Sequence, residues 1–107
     1  MNRPVLVLWD AEQDIAEIVH WYDEQGRGFG AAFLEEVGRV VARLSRWPDY
    51  GPLVGARTRR VLLARFPYLL LYVPQQERIE ITAVCHLSRH PRRWSDRVQE
   101  QVFAYAT

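Results

Sequence analysis

The stretch from Arg57 to Arg89 constrains the fold of this chain more than any other. Tyr68 to Val73 is an unbroken apolar run, the pattern of a strand whose neighbours pair on both edges and whose faces are covered. From Arg78 to Ser88 the residues alternate instead. Ile79, Ile81, Ala83, Cys85 and Leu87 fall on one side, and Glu80, Thr82, Val84, His86 and Ser88 on the other. With the segment that follows Arg57, Arg59 and Arg60, this reads as three consecutive antiparallel strands. Pro67 predicts a tight corner between the first pair, and Pro74 to Glu77 the turn before the last strand. A sheet with one apolar face needs helices to cover it, and its largely polar face is where function is expected.

The rest of the chain supplies those helices. Pro4 to Trp9 is a short apolar run that suits a first strand, and Asp10 stops it. Asp10 and Gln13 have the spacing of a capping box, so a helix is predicted to start there. Its apolar stripe is Ala11, Ile15, Ile18, Val19 and Tyr22, with Glu12, Asp14, Glu17 and Asp23 facing away. Gly26-Arg27-Gly28 ends it. From Phe29 to Trp47 a second helical period runs through Phe33, Leu34, Val37, Val40, Val41 and Leu44, and Pro48 forbids its continuation. The short connection predicts an antiparallel helix hairpin lying on one sheet face. Pro48 to Pro52 reads as a loop. After Ser88, Pro91 suits a turn or helix start, and Val98, Val102 and Phe103 suggest a short C-terminal helix. The expected class is α+β: an N-terminal strand, a helix hairpin, a three-stranded antiparallel meander and a terminal helix, in a single domain over residues 1–107.

At 107 residues, 49% hydrophobic and 25% charged, the chain can bury a core without disulfide or metal staples. Its lone Cys85 has no internal disulfide partner and sits on the apolar strand face, where a small buried side chain in a reducing compartment is expected. No secretion signal or membrane span is visible, so a cytoplasmic location is expected. The net charge of +1 is unevenly spread. Residues 1–50 hold five Arg against nine Asp plus Glu, a balance of −4, and residues 51–107 hold nine Arg against four, a balance of +5. All fourteen basic residues are arginine, which excludes chemistry that needs a titratable amine.

The densest chemical signal is Arg89, Arg92, Arg93 and Arg97 with His86, His90 and Trp94 interleaved. Guanidinium forks pair with carboxylates or phosphates and an indole offers a stacking face, so acidic protein or nucleic acid fits there. The same residues also read as a solvated basic tail with Trp94 folded onto the core. Arg57, Arg59 and Arg60 either extend the basic surface or protect a sheet edge. A metal site is not expected, because His86 and His90 lack a third ligand and Cys85 points away from His86. His86 beside Ser88 lacks an identifiable acidic partner for nucleophilic chemistry. Gly26, Gly28 and Gly30 do not follow a strand and are not a phosphate cradle.

The segments DIAEIVHWYDEQG in the first helix, FPYLLLY in the middle strand and ITAVCHLSRHPRRW with Arg97 at the end resemble the RelE/ParE superfamily of type II toxin–antitoxin toxins, often labelled plasmid stabilisation proteins. The resemblance covers nearly the whole chain, and its last segment is the most specific part. It implies a helix hairpin on a mainly antiparallel sheet, no cofactor, and a cognate antitoxin that wraps an acidic, partly helical segment around the toxin. Sequence-specific DNA binding would belong to the antitoxin rather than to the toxin alone.

The superfamily divides into two functional classes. RelE-like members resemble ribosome-dependent mRNA endonucleases that stabilise the scissile phosphate with lysines and arginines, one of them directly after the tyrosine that opens the middle strand. Leu69 holds that place here, and Trp94 and Ser95 stand where the nuclease arm has a late tyrosine. Of that set Arg89 alone matches, with His86 the one remaining acid or base. No catalytic residue is therefore expected, His86 and Arg89 being the weak candidates. ParE-like members resemble this chain better and act by binding DNA gyrase. Antitoxin or target contacts are expected from Arg59, Arg60, His86, Arg89, Arg92, Arg93, Trp94 and Arg97, with ribosome and mRNA as the alternative target and a member that has lost toxicity as the further alternative.

Overall fold

The computed structural model describes residues 2–88. Strand β1 (Val5–Val7) is followed by helices α1 (Trp9–Gln25) and α2 (Phe29–Arg46), then strands β2 (Arg59–Leu62), β3 (Tyr68–Pro74) and β4 (Ile79–His86). They form one four-stranded sheet in the order β1-β4-β3-β2. β2, β3 and β4 are the antiparallel meander expected from the sequence, while β1 lies parallel to β4 on its other edge. Both β3 and β4 are thus interior strands. Every residue from Tyr68 to Val73 is buried, as an apolar run paired on both edges requires. The terminal helix expected beyond Pro91 lies outside the described residues.

The helix hairpin covers one sheet face. Ala11 and Ile18 of α1 and Phe33, Val37, Val40 and Leu44 of α2 pack with Val61, Tyr68, Leu70, Tyr72, Ile79, Ile81 and Val84 in one core. Complete burial of an aliphatic side chain such as Leu70 or Ile81 is worth about 1.5–3 kcal/mol each, an upper bound because unfolded chains already bury some surface. Gly28, at φ 88°, takes the left-handed conformation that turns the chain into α2. Leu34 departs from the expected stripe and is exposed, because the stripe follows Phe33, Val37, Val40 and Leu44.

The capping box at Asp10 does not form. The chain leaves β1 without a loop: the Leu8 N–H still donates to Ile81 of the sheet at 2.9 Å, while its carbonyl accepts the Glu12 amide at 2.9 Å. Leu8 is therefore the extended N-cap, with no side-chain cap, and Asp10 falls inside the first turn. There its charge, with that of Glu12, still complements the positive end of the helix. Asp14 does not face away either, since its Oδ2 accepts the Val84 N–H of β4 at 2.9 Å.

The simple alternation expected along β4 is broken by a bulge. Leu71 pairs with Ala83 but Tyr72 pairs with Ile81, so Thr82 is an extra residue with its hydroxyl turned onto the Leu71 carbonyl at 3.3 Å. An inserted residue reverses the pleat. Ile79 and Ile81 face the helices, but beyond the bulge Val84 does so, while Ala83 and Cys85 lie on the opposite face with Leu69 and Leu71. That second face is consequently less polar than the alternation predicts. Leu69, Leu71 and Ala83 are buried there with Val54 and Cys85 against them, and buried Glu80 is held by Arg78 at 2.6 Å.

A candidate partner-binding surface

Of the residues singled out from the sequence, Arg57, Arg59, Arg60, Cys85, His86 and Ser88 lie within the described chain; Arg89, His90, Arg92, Arg93, Trp94 and Arg97 lie outside it. The structure does not gather the described ones into a pocket. Arg59 and Arg60 alternate to opposite sides of edge strand β2, and β3 separates them from His86 on β4.

Arg59 is directed at the chain's own loop. Its Nη1 donates to the Gly51 carbonyl at 2.7 Å and to the Asp49 carbonyl at 3.4 Å, and its Nη2 lies 3.7 Å from the Asp49 carboxylate. The same loop is fixed from beneath by Tyr72, whose hydroxyl donates to the Pro48 carbonyl and accepts the Gly51 N–H, each at 2.9 Å. Burial raises the Tyr72 pKa and holds the phenol neutral. A Cβ on Gly51 would run into the Arg60 carbonyl, so only glycine permits the loop to lie this close to β2. The loop Pro48–Pro52 expected from its prolines is thus a fixed wall beside the sheet edge.

Arg60 makes no ion pair among the described residues and lies half-buried beside that wall. With Tyr50, Gly51, Pro52, Val61 and Leu62 it lines an open groove of about 450 Å³. The Arg43 guanidinium sits over the Tyr50 ring, 5.1 Å from its centroid, and adds a second cation to the rim.

His86 closes β4 opposite Tyr68, with the two rings edge to face at 5.0 Å. Its Nδ1 accepts the Ser88 N–H at 3.1 Å, which makes Nε2 the protonated nitrogen of the neutral ring. The Ser88 hydroxyl is also 3.3 Å from Nδ1, so the pair forms a compact end to the strand. Tyr68 in turn joins Tyr22, Phe33 and Phe66 in a cluster of ring contacts that runs back into the core. The residue after Tyr68, Leu69, is only 2% exposed and packs in the apolar cluster of the second face. Among the described residues no group of three or more His, Cys, Asp or Glu is arranged to hold a metal, and no helix is long and apolar enough to cross a membrane.

A buried carboxylate escaped the sequence reading. Glu36 accepts the Ala64 N–H at 2.6 Å and a guanidinium N–H of Arg39 at 3.0 Å, tying α2 to the turn between β2 and β3. The Ala64 amide, and after it Arg39 and Arg65, hold its pKa below the usual glutamate range against the opposing effect of burial. The signal was present: Glu36 occupies the same helical face as Phe33, Val37 and Val40, where a solvated acid does not belong.

No curated protein matches the chain significantly. Among solved structures, the chromosomal ParDE TA system from P. aeruginosa superposes with a TM-score of 0.69 at 17% identity, covering 80% of this chain and 97% of that one. At that identity the likeness establishes the fold. The sequence profile of the ParE toxin of type II toxin–antitoxin system, parDE, matches residues 5–91, from β1 through the end of the meander. The chain belongs to the ParE toxin family of type II toxin–antitoxin systems.

Proposed function

We propose that this protein acts as a ParE-like toxin in the cytoplasm, blocking DNA gyrase by binding it and itself neutralised by a cognate antitoxin. The observation that carries the choice of mechanism is Leu69. Cleavage of a phosphodiester needs several cations placed on the developing charge, and usually a group that transfers a proton. At the position where nuclease relatives place a cation after the tyrosine, this chain packs a buried leucine, and it contains no lysine at all. His86 has an imidazole to offer, but its Nδ1 is engaged by the backbone N–H and hydroxyl of Ser88. An inhibitor that works by docking needs none of this machinery.

The arginine-rich half supports an acidic partner. Of the nine arginines beyond residue 50, Arg57, Arg59, Arg60, Arg65 and Arg78 are in the described chain, and complementary charge on an antitoxin would speed association and make it salt-sensitive.

The test is induction of the protein without antitoxin in a bacterial host, following DNA-damage signalling, cell shape and protein synthesis together. Damage signalling and filamentation should precede any fall in translation. Early translation arrest with ribosome-cut messenger fragments that disappear in His86→Gln would establish the nuclease mechanism instead.

A further inference from the structure

We propose that the groove at the outer edge of β2 receives an acidic, extended segment of the antitoxin, which adds to the sheet beside Leu62 and seats a leucine or aromatic side chain between Leu62 and Tyr50. The inference rests on the reading above that the protein has an antitoxin, and it adds the place and the form of the contact. On this edge the chain has already paired part of its own backbone: the Val54 N–H donates to the Thr58 carbonyl at 2.9 Å and the Arg60 N–H to the Pro52 carbonyl at 3.1 Å. The pleat then turns the next alternate residue, Leu62, the same way. Its backbone groups meet no other segment among the described residues, and its side chain is 51% exposed. An edge left open just where self-pairing stops is a template for an added strand.

The groove is built before any partner arrives. Its wall is the loop held by the Tyr72 hydroxyl and Arg59, so an incoming segment need not order it. Charge selects the occupant. Arg60 in the lining and Arg43 over Tyr50 are both cationic, while the nearby Asp49 is paired with Arg59. A second copy of this chain would bring the same arginines face to face, which disfavours a homodimer through this edge. A nucleic acid could satisfy the arginines but has no strand backbone to match Leu62. A carboxylate-bearing peptide satisfies both requirements.

The test uses the protein co-expressed with the product of the neighbouring reading frame and purified as a complex. Backbone hydrogen exchange at Leu62 should slow at least about tenfold in the complex, as expected for an amide newly bonded in a sheet. Arg60→Glu should slow association about tenfold at low salt, the usual behaviour of a rim charge, while the same reversal at Arg27 in the helix turn should change it little. A complex in which Leu62 exchanges as in the free protein, or in which the Arg60 and Arg27 variants associate alike, overturns the docking site and leaves the antitoxin reading standing. Failure of every neighbouring product to bind overturns that reading, and the docking site with it. Slower exchange at Leu62 on addition of a double-stranded oligonucleotide alone would assign the edge to nucleic acid instead.

Discussion

Two loops flank β2, and they are fixed by opposite chemistry. The loop before it, Pro48–Pro52, is held by polar contacts from below: the neutral Tyr72 hydroxyl and the Arg59 guanidinium. The turn after it, around Phe66 and Pro67, is held by packing and by an ionised acid: Phe66 sits against the rings of Tyr22 and Phe33 with centroids 5.2 and 5.3 Å away, and Glu36 holds the Ala64 amide. Each side chain that grips a loop amide reaches it from a different element, the one on β3 and the other on α2. A short edge strand with few neighbours is thus kept in register by ties at both its ends, one to β3 through Tyr72 and one to α2 through Glu36.

Phe66 carries the largest of these anchoring effects. Phe66→Ala should cost about 3 kcal/mol, the lower end for a phenylalanine truncation because this ring is half-buried, and chemical denaturation will measure it. Tyr72→Phe removes both hydroxyl bonds while keeping the ring, and leaves the buried Gly51 N–H without its acceptor. A loss of about 1–3 kcal/mol is expected, with faster exchange confined to the loop. A loop unchanged in exchange would mean that Arg59 alone suffices to hold it.

The smallest effect is also the most diagnostic, because the two anchors titrate in opposite directions. The folded-state pKa of Glu36 lies below its ordinary 4.5, so its contribution is complete above that pH and fades as pH falls through the lower folded value. Glu36→Gln should cost about 1 kcal/mol at neutral pH, since the amide oxygen can still accept the Ala64 N–H, and the gap to wild type should close in acid. For Tyr72 the folded pKa is raised above 10.0, so its contribution is present below that pH and fades as pH rises through the folded value. Melting curves across the pH range should therefore show the turn loosening in acid and the loop in alkali.

Much of this architecture was legible from residue patterns. The apolar run at Tyr68, the helical periods of Ile15, Ile18 and Tyr22 and of Phe33, Val37 and Val40, and the punctuation by Pro48 and Pro67 are local signals, and each marks its element to within a residue or two. What escaped depends on partners distant in sequence. The bulge at Thr82 exists only in the register of β4 against β3, and no pattern within β4 reports it. Asp14 looked like a solvent-facing acid until β4 supplied the Val84 amide, 70 residues away. The same holds for the candidate surface. Arg60 was identifiable as one of several edge arginines, but Tyr50 and Leu62 join it only because Gly51 lets the loop approach β2.

The position of β1 has a consequence for the order of assembly. Of the four described strands, the earliest made is the last to find its partner, because Val5 and Val7 pair with Ile79 and Ile81 after both helices and two further strands have been made. The helix hairpin closes through near neighbours, whereas this parallel pairing must first pay the entropy of a loop spanning most of the chain. In pulse-labelled refolding, amides of α1 and α2 should gain protection before those that join β1 to β4. A nascent chain stalled ahead of Ile79 should carry its helices while β1 still waits for a strand to lie against.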